Sequence, residues 1–304
     1  MQTVTVRAPC STANLGPGFD VFGLALDAFY DEVQLTKKGK EIIIESTDSV
    51  PLEPEKNSAG LVIKEMSKKF KIKTGLLIQI KKGVPPGFGM GSSAASAAAA
   101  AVAFDALFGL DLDQNTLAEF AGMGEKASAG SIHYDNVSAS VFGGFVIVKT
   151  NPLDVIRIDP PKDLVLCIAI PKIIVPKKKT KVSRGVLPKQ VKLSDSVKNL
   201  SNASAITAGF IKKDVSLIGH SIIDIIVEPA RKRLIPGFDN VKTNALQAGA
   251  LGVTISGAGP SIIAFTENSA DHRKICKAME KGFLTSGTKC TTIICRSSKG
   301  AFVL

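Results

Sequence analysis

No apolar run in this 304-residue chain reaches the roughly 18 residues that a membrane-spanning helix needs. The start, MQTVTVRAPC, has neither the charged opening nor the apolar stretch of a secretory leader. Both absences predict a soluble, cytosolic protein. Cysteine is scarce and odd in number: Cys10, Cys167, Cys276, Cys290 and Cys295, with no C-x-x-C spacing. Only His133, His220 and His272 could add imidazole ligands, and none adjoins a cysteine pair. This argues against a disulfide framework or zinc site, and for reduced, partly buried thiols. Acidic residues are in deficit, 27 against 38 lysines and arginines, a net charge of +11. Such an excess attracts anions of several kinds, from nucleotide to nucleic acid or membrane surface. The lysines are nevertheless spread along the chain. The one dense run, PKKKTK from Pro176 to Lys181, has no aromatic residue between its charges. With no ribonucleoprotein-type aromatic motif and no zinc finger, no nucleic-acid partner is expected, and no membrane partner either. Internal repeats and low-complexity tails are also absent.

What is present suits a globular protein of one large or two medium domains, with 45% hydrophobic and 21% charged residues. QTVTVRAPC alternates and is β-branched, which predicts a strand. EVQLTKKGKEIIIEST predicts a hairpin turned at Lys38-Gly39. SAGLVIKEMSKKF carries Leu61, Ile63, Met66 and Phe70 at helical spacing. GLLIQIKKGVPP predicts a strand ended by two prolines. Helices follow to about Phe108, with Gly109 as the stop, and over about 114–129. FGGFVIVKT predicts a strand. Prolines at 152, 160 and 161 mark a domain boundary, giving an N-terminal domain over 1–155 and a C-terminal domain over 156–304. The second half opens with a buried strand, DLVLCIAIP, then a basic, proline-dotted loop at about 172–192. Helical patterns come near 195–212, 214–226 and 239–250. The end alternates strand GVTIS, loop GAGPS, strand IIAFT, a helix near 270–281 and strand CTTIICR. Strands and helices mix without regular βαβ repetition, which favours two α+β domains.

PPGFGMGSSAAS, from Pro85, is the stretch with chemistry in it. A strand, a glycine loop and a helix follow in that order. Glycines allow positive φ and close approach to an anion, and successive N–H groups can form a nest. The helix start adds unpaired donors and the positive end of the dipole. Ser92 and Ser93 at that start can cap the helix or hold a metal. The Walker loop is excluded because Gly91 is followed by Ser92 and no lysine. The dinucleotide fingerprint is excluded because Gly87, Gly89 and Gly91 have the wrong spacing. A linker is excluded because the alanine run after it is strongly helix-forming. A buried helix with a tight turn before it is the purely structural alternative. Two further stretches are weak alone: APCSTANLGPGFDVFGLAL, a strand, a polar turn holding Asn14 and Asp20, then an apolar helical pattern; and ISGAGPSIIAF, small residues between apolar strands.

In order and spacing the three stretches together resemble the GHMP kinases, the family of galactokinase, homoserine kinase, mevalonate kinase and phosphomevalonate kinase. PPGFGMGSSAAS is similar to that family's ATP loop, with Met90 for the usual leucine, and SGAGPS to its C-terminal glycine motif. The resemblance spans about residues 6–296. It implies a two-domain α+β fold: an N-terminal domain with a left-handed βαβ crossover and a ferredoxin-like C-terminal domain, the site lying between them. It implies ATP as phosphoryl donor, wrapped by Pro86, Gly87, Phe88, Gly89, Met90, Gly91, Ser92 and Ser93, with Asn57 at adenine, or capping a helix, or both. It implies Mg²⁺ held by Ser93 and Glu125. Ala8-Pro9-Cys10-Ser11 lacks the basic residue that sugar and mevalonate kinases carry there. STANLGPGFDVFGLAL and HYDNVSASVFGGF instead resemble the branch that phosphorylates L-homoserine. By that resemblance Arg184 and Arg231 bind the acceptor carboxylate, Asp20 beside Asn14 binds its ammonium, and His133 and Asn136 line its hydroxyl end. Asn136 stands where mevalonate and galactose kinases place an aspartate. The expectation is that no protein base acts, that Asn136 orients the hydroxyl, and that Asp135 is the alternative base. Mevalonate, shikimate or pantoate are alternative acceptors, and a catalytically silent nucleotide or RNA binder is the alternative class. Oligomeric state, a homodimer included, is left open.

Overall fold

The computed structural model describes residues 2–129, 132–176 and 179–304. The chain opens with β1 (Thr3–Ala13), which runs antiparallel to β2 (Phe22–Lys37) along its whole length, with a register shift at Pro9/Cys10. β3 (Ile42–Glu45) leads through a short 3-10 turn into α1 (Ser58–Lys69), and β4 (Leu76–Lys81) into the glycine loop. Helices α2 (Ser92–Phe108), α3 (Gln114–Ala129) and α4 (Tyr134–Phe142) follow, then the hairpin of β5 (Phe145–Lys149) and β6 (Asp154–Ile158). The second half begins with β7 (Leu164–Pro171). Helices α5 (Lys179–Gly185), α6 (Leu193–Lys212), α7 (Val215–His220), α8 (Val227–Arg231) and α9 (Phe238–Gln247) come next. β8 (Gly252–Ile255), β9 (Ile262–Glu267), α10 (His272–Leu284), β10 (Cys290–Cys295) and β11 (Phe302–Val303) complete the chain.

The first sheet has the order β11-β1-β2-β4-β3, with β5 and β6 attached to the start of β2. β2 therefore shares one edge between β5 and β4. The second sheet, β10-β7-β9-β8, is antiparallel throughout, the strand order of a ferredoxin-like unit. β11 returns the chain end to β1. In the second sheet the strand alternation sorts the core. Cys167, Ala169, Ile262 and Ala264 face Phe238, Val241, Met279 and Phe283 of α9 and α10. Leu166, Ile168, Ile263 and Phe265 share a core with Phe210 and Ile218 of α6 and α7 and with the first sheet. Phe210 stacks on Phe145 of β5 at 3.9 Å between ring centroids, so one apolar core joins the two sheets. Truncating such a phenylalanine costs roughly 3–5 kcal/mol.

α2 is the axis of the first half. It packs against α1, α3, α4, β1 and β2, and twelve of its 17 residues are buried. A helix apolar on every side belongs inside a protein, and alanine lets these five neighbours approach it closely. α3 closes the bundle through Gly124, where a Cβ would lie 2.6 Å from Ser58 O and 2.7 Å from Val62 Cγ2.

Four local expectations change. Lys38-Gly39 does turn the chain, with Gly39 at φ +69, but no hairpin forms. β4 inserts between β2 and β3, antiparallel to one and parallel to the other. It buries Leu76, Leu77, Ile78 and Ile80, whereas β3 buries only Ile44 and takes the edge. The apolar pattern after Asp20 is β2 and not a helix. Phe22 to Leu26 are all buried, because α2 and α4 cover the sheet there. A strand buried on both faces loses its period of two and imitates a helix. The basic loop at 172–192 contains α5, and the helix expected over 214–226 stops at His220. Lys177 and Lys178 of the PKKKTK run lie outside the described residues.

Candidate active site

A cleft of ≈ 440 Å³ opens where the glycine loop, the start of α2, the turn after β1, and α5 and α8 converge. Every residue singled out from the sequence lines it except Phe88. Phe88 contributes its backbone, its carbonyl accepting Ser261 N at 3.3 Å.

The loop is anchored from below. Asp31 is fully buried on β2, and its Oδ1 accepts the amides of Gly83 and Val84, both at 3.0 Å. Its Oδ2 accepts Ser96 Oγ at 2.6 Å and pairs with Lys82 Nζ, which also donates to Ser92 O and Ser96 Oγ. Ser92 Oγ closes the ring on Val84 O at 2.9 Å. Removing one partner of so buried a pair strands a charge, at a cost of roughly 3–5 kcal/mol. The loop above is held by close backbone approach. Gly87, Gly89 and Gly91 all have positive φ. A Cβ at Gly89 would stand 2.2 Å from Ser256 O and 2.6 Å from Gly259 O; one at Gly91 would stand 2.2 Å from Ser11 Oγ. Ser11 N donates to Met90 O at 3.1 Å, Ser256 Oγ lies 2.8 Å from Gly89 O, and Gly257 N donates to Ala13 O at 3.2 Å. The three stretches that are weak singly in sequence are thus one interlocked unit.

α2 starts from Gly91 without a side-chain cap. The amides of Ser92, Ser93 and Ala94 have no acceptor within the helix and lie at the cleft, where an anion suits them. Beside them Glu125 of α3 is buried and hydrogen-bonded to Ser93. Burial pushes its carboxyl up to about 7, against the Ser93 hydrogen bond and with help from Asp135. Asp135, also buried, is pushed up to about 6, first by burial and then by Asp20. Its Oδ1 accepts Asn136 N at 2.8 Å. Among the described residues no group of three or more His, Cys, Asp or Glu could form an all-protein metal cage. Asn136 Oδ1 accepts Ser11 Oγ at 2.9 Å and would lie 3.1 Å from a Cβ at Gly91. Asn136 therefore touches the end of the glycine loop.

The other side of the cleft is built from charges. Arg184 Nη2 donates to both oxygens of Asp20, at 2.6 and 2.8 Å, and to His133 Nδ1 at 2.8 Å. A guanidinium can only donate, so Nδ1 is unprotonated. Burial and then Arg184 hold the His133 pKa below its ordinary value, consistent with a neutral ring. Arg231 is buried, donates to Ser183 O and Gly257 O, and has its pKa lowered to about 10 by burial and Arg184. Phe19 lies under both guanidiniums, 5.3 Å from Arg184 Cζ and 5.1 Å from Arg231 Cζ. Asn14 spans the turn, accepting Asp20 N at 3.0 Å and donating to Gly257 O at 2.9 Å. Asn14, Leu15 and Asp20 are all left-handed, a strained set that these bonds hold in place. At the far end Asn57 caps α1 through Gly60 N and donates to Pro51 O while still lining the cleft.

Sequence reasoning missed Lys82, Lys179 and Thr180 in this cleft, and Ser11 and Phe19, which touch the residues that line it. Lys82 had a usable signal, since it stands directly between a strand and the glycine loop.

The chain matches the family model for the GHMP kinases N terminal domain over residues 57–144 and that for GHMP kinases C terminal over residues 206–284. It belongs to the GHMP kinases. Among curated GHMP kinase relatives, a homoserine kinase of Thermoplasma volcanium is 41% identical over 278 residues, covering 91% of this chain and 89% of its own. One of Saccharolobus islandicus is 40% identical over 307 residues, covering 100% and 99%. The crystal structure of homoserine kinase from Cytophaga hutchinsonii superposes with TM-score 0.93 at 40% identity, covering 100% of this chain and 98% of that one. The fold extends to the Methanococcus jannaschii mevalonate kinase, TM-score 0.69 at 16% identity over 97% and 98% of the two chains. Among the described residues no helix of this GHMP kinase is long and apolar enough to cross a membrane.

Proposed function

We propose that this GHMP kinase transfers the terminal phosphoryl group of ATP to the hydroxyl of L-homoserine, giving O-phospho-L-homoserine on the route to threonine. The observation that carries this reading is the contact between a glycine loop fit for phosphates and a charge set fit for a zwitterion, made at Asn136 and Gly91. The 40% identity to homoserine kinases over the full chain supports it.

Arg184 is paired with Asp20. A zwitterion replaces both halves of that pair: its carboxylate takes Arg184 and Arg231, and its ammonium takes Asp20. An acid without an ammonium would take Arg184 and leave Asp20 unpaired, which disfavours mevalonate, shikimate and pantoate. The glycine loop and the uncapped start of α2 receive the phosphates. Ser93 and Glu125 would hold Mg²⁺. Glu125, held up to about 7 by burial, is a carboxyl that a cation would ionise. One carboxylate and one hydroxyl suit an ion that keeps waters and shares phosphate oxygens. When bound, Mg²⁺ neutralises charge on the phosphate chain. Asn136 orients the acceptor hydroxyl, whose proton passes to a phosphate oxygen or water. Phosphoryl transfer through a loose transition state depends on positioning more than on a base. Asn57 and the strand-to-helix turn before it hold the adenine end.

ADP release measured with L-homoserine, mevalonate, shikimate and pantoate tests this. Turnover with L-homoserine is expected. Turnover confined to mevalonate would overturn the reading, and none with any acceptor would favour a silent nucleotide binder.

A further inference from the structure

Lys179 is the cation that the reading above leaves unused. It is the first residue of α5, lines the cleft, and donates to Gly259 O. That acceptor is one of the atoms a Cβ at Gly89 would meet at 2.6 Å, so the ammonium is tethered beside the middle of the glycine loop. The other cleft cations are committed. Lys82 is paired with Asp31, Arg184 with Asp20, and Arg231 with two carbonyls and the Phe19 ring. Among the described residues Lys179 has no ion pair; the charge that faces it most closely is the like charge of Arg231 on α8. Burial and then Arg231 lower its pKa to about 7. A cation kept half-buried against a neutral carbonyl, with no carboxylate, is placed for an anion that arrives later. The loop lacks a lysine of its own, and a lysine side chain is a flexible point charge well suited to reach phosphate oxygens.

We propose that Lys179 leaves Gly259 O when nucleotide binds and donates to the β- and γ-phosphate oxygens, supplying the side-chain cation that the glycine loop lacks. The proposal rests on the ATP-dependent kinase reading. It adds a proton to the binding step. Lys179, its pKa lowered to about 7, is partly neutral near pH 7.5 against Gly259 O and fully charged against the phosphates. Nucleotide binding therefore draws a proton from solvent, and affinity falls as pH rises above 7. Arg184, Arg231, Asp20, His133, Glu125, Asp135, Lys82 and Lys56 also line or face this cleft, so only a difference between variants reports Lys179 alone.

The test is calorimetric titration of Mg²⁺ with AMP-PNP, a non-hydrolysable ATP analogue, or with AMP, at pH 7.5 in two buffers of different ionisation enthalpy. Wild type is expected to take up more protons than Lys179→Arg, which enters already charged. Lys179→Met is expected to raise the Kd for AMP-PNP roughly ten- to hundredfold and to leave that for AMP within twofold. Equal proton uptake by wild type and Lys179→Arg overturns the proposal. So does a Lys179→Met protein that binds AMP-PNP as wild type does, or that loses AMP equally. Should Lys179→Met fail to fold, the arginine comparison decides alone. Wild type that binds neither nucleotide would sink the kinase reading itself, an outcome distinct from a silent Lys179.

Discussion

The two ends of the cleft solve the binding of anions in opposite ways. The phosphate end is made of backbone: three positive-φ glycines, an uncapped helix start, and contacts so close that a methyl group would collide. The end proposed for the acceptor is made of side chains: Arg184 pairs with Asp20 and donates to His133, while Arg231 donates to two backbone carbonyls. A backbone nest reads charge and shape without reading identity, and any triphosphate suits it. A mutually satisfied charge set reads a pattern of charges, because a wrong ligand leaves one member stranded. On the proposed reading the generic donor is thus held by main chain, and the specific acceptor by side chains from distant parts of the sequence.

Substitutions that break one end and spare the other sharpen this contrast. The largest effect is expected between the two ends, at Glu125→Gln. On the proposed reading, in which Glu125 would hold Mg²⁺, loss of this carboxylate should lower kcat by on the order of 10³-fold in the ADP-release assay. The folded Glu125 titrates near 7, above its unfolded value of 4.5. Its favourable contribution is full below pH 4.5 and is lost as pH rises to about 7. Thermal unfolding of the metal-free Gln variant should therefore lack that decline, while its activity is lost. Next is Arg231→Leu, which should raise the KM for L-homoserine roughly 10²-fold and leave the AMP-PNP Kd unchanged. Gly89→Ala should do the reverse, raising the nucleotide Kd at least about tenfold, since its Cβ meets Ser256 O at 2.2 Å in a left-handed residue. The smallest change is expected at Asp135→Asn. If Asn136 orients and no base acts, kcat falls by less than about tenfold; a loss of roughly 10² or more in the pH-rate profile would assign the base to Asp135.

The same contrast explains what the sequence disclosed. Backbone sites are legible because glycine and alanine are the message: Gly87, Gly89 and Gly91 before an alanine helix state their own geometry. The side-chain end is not legible from local pattern. Asp20 and Arg184 are 164 residues apart, and Arg231 sits on α8, a five-residue helix with no periodicity to reveal it. The roles expected of those three came through family resemblance alone. Lys179 was hidden in a run that composition reads as a solvated surface, and only its tether to Gly259 O marks it out. Strand order was hidden for a related reason. Whether β3 pairs with β2 or lets β4 in depends on which strand buries more apolar surface, and that is settled by residues 34 positions further on. β6 likewise runs from Asp154 to Ile158, across the point where the prolines suggested a boundary.

The claim that most needs testing is that the acceptor end reads paired charges. The direct measurement is kcat/KM for L-homoserine against 4-hydroxybutyrate, which keeps the hydroxyl and carboxylate and lacks the ammonium. Asp20 left without its partner predicts a ratio on the order of 10³ or more in favour of L-homoserine. A ratio within about tenfold would contradict the account, because Arg184 and Arg231 would then be reading the carboxylate alone.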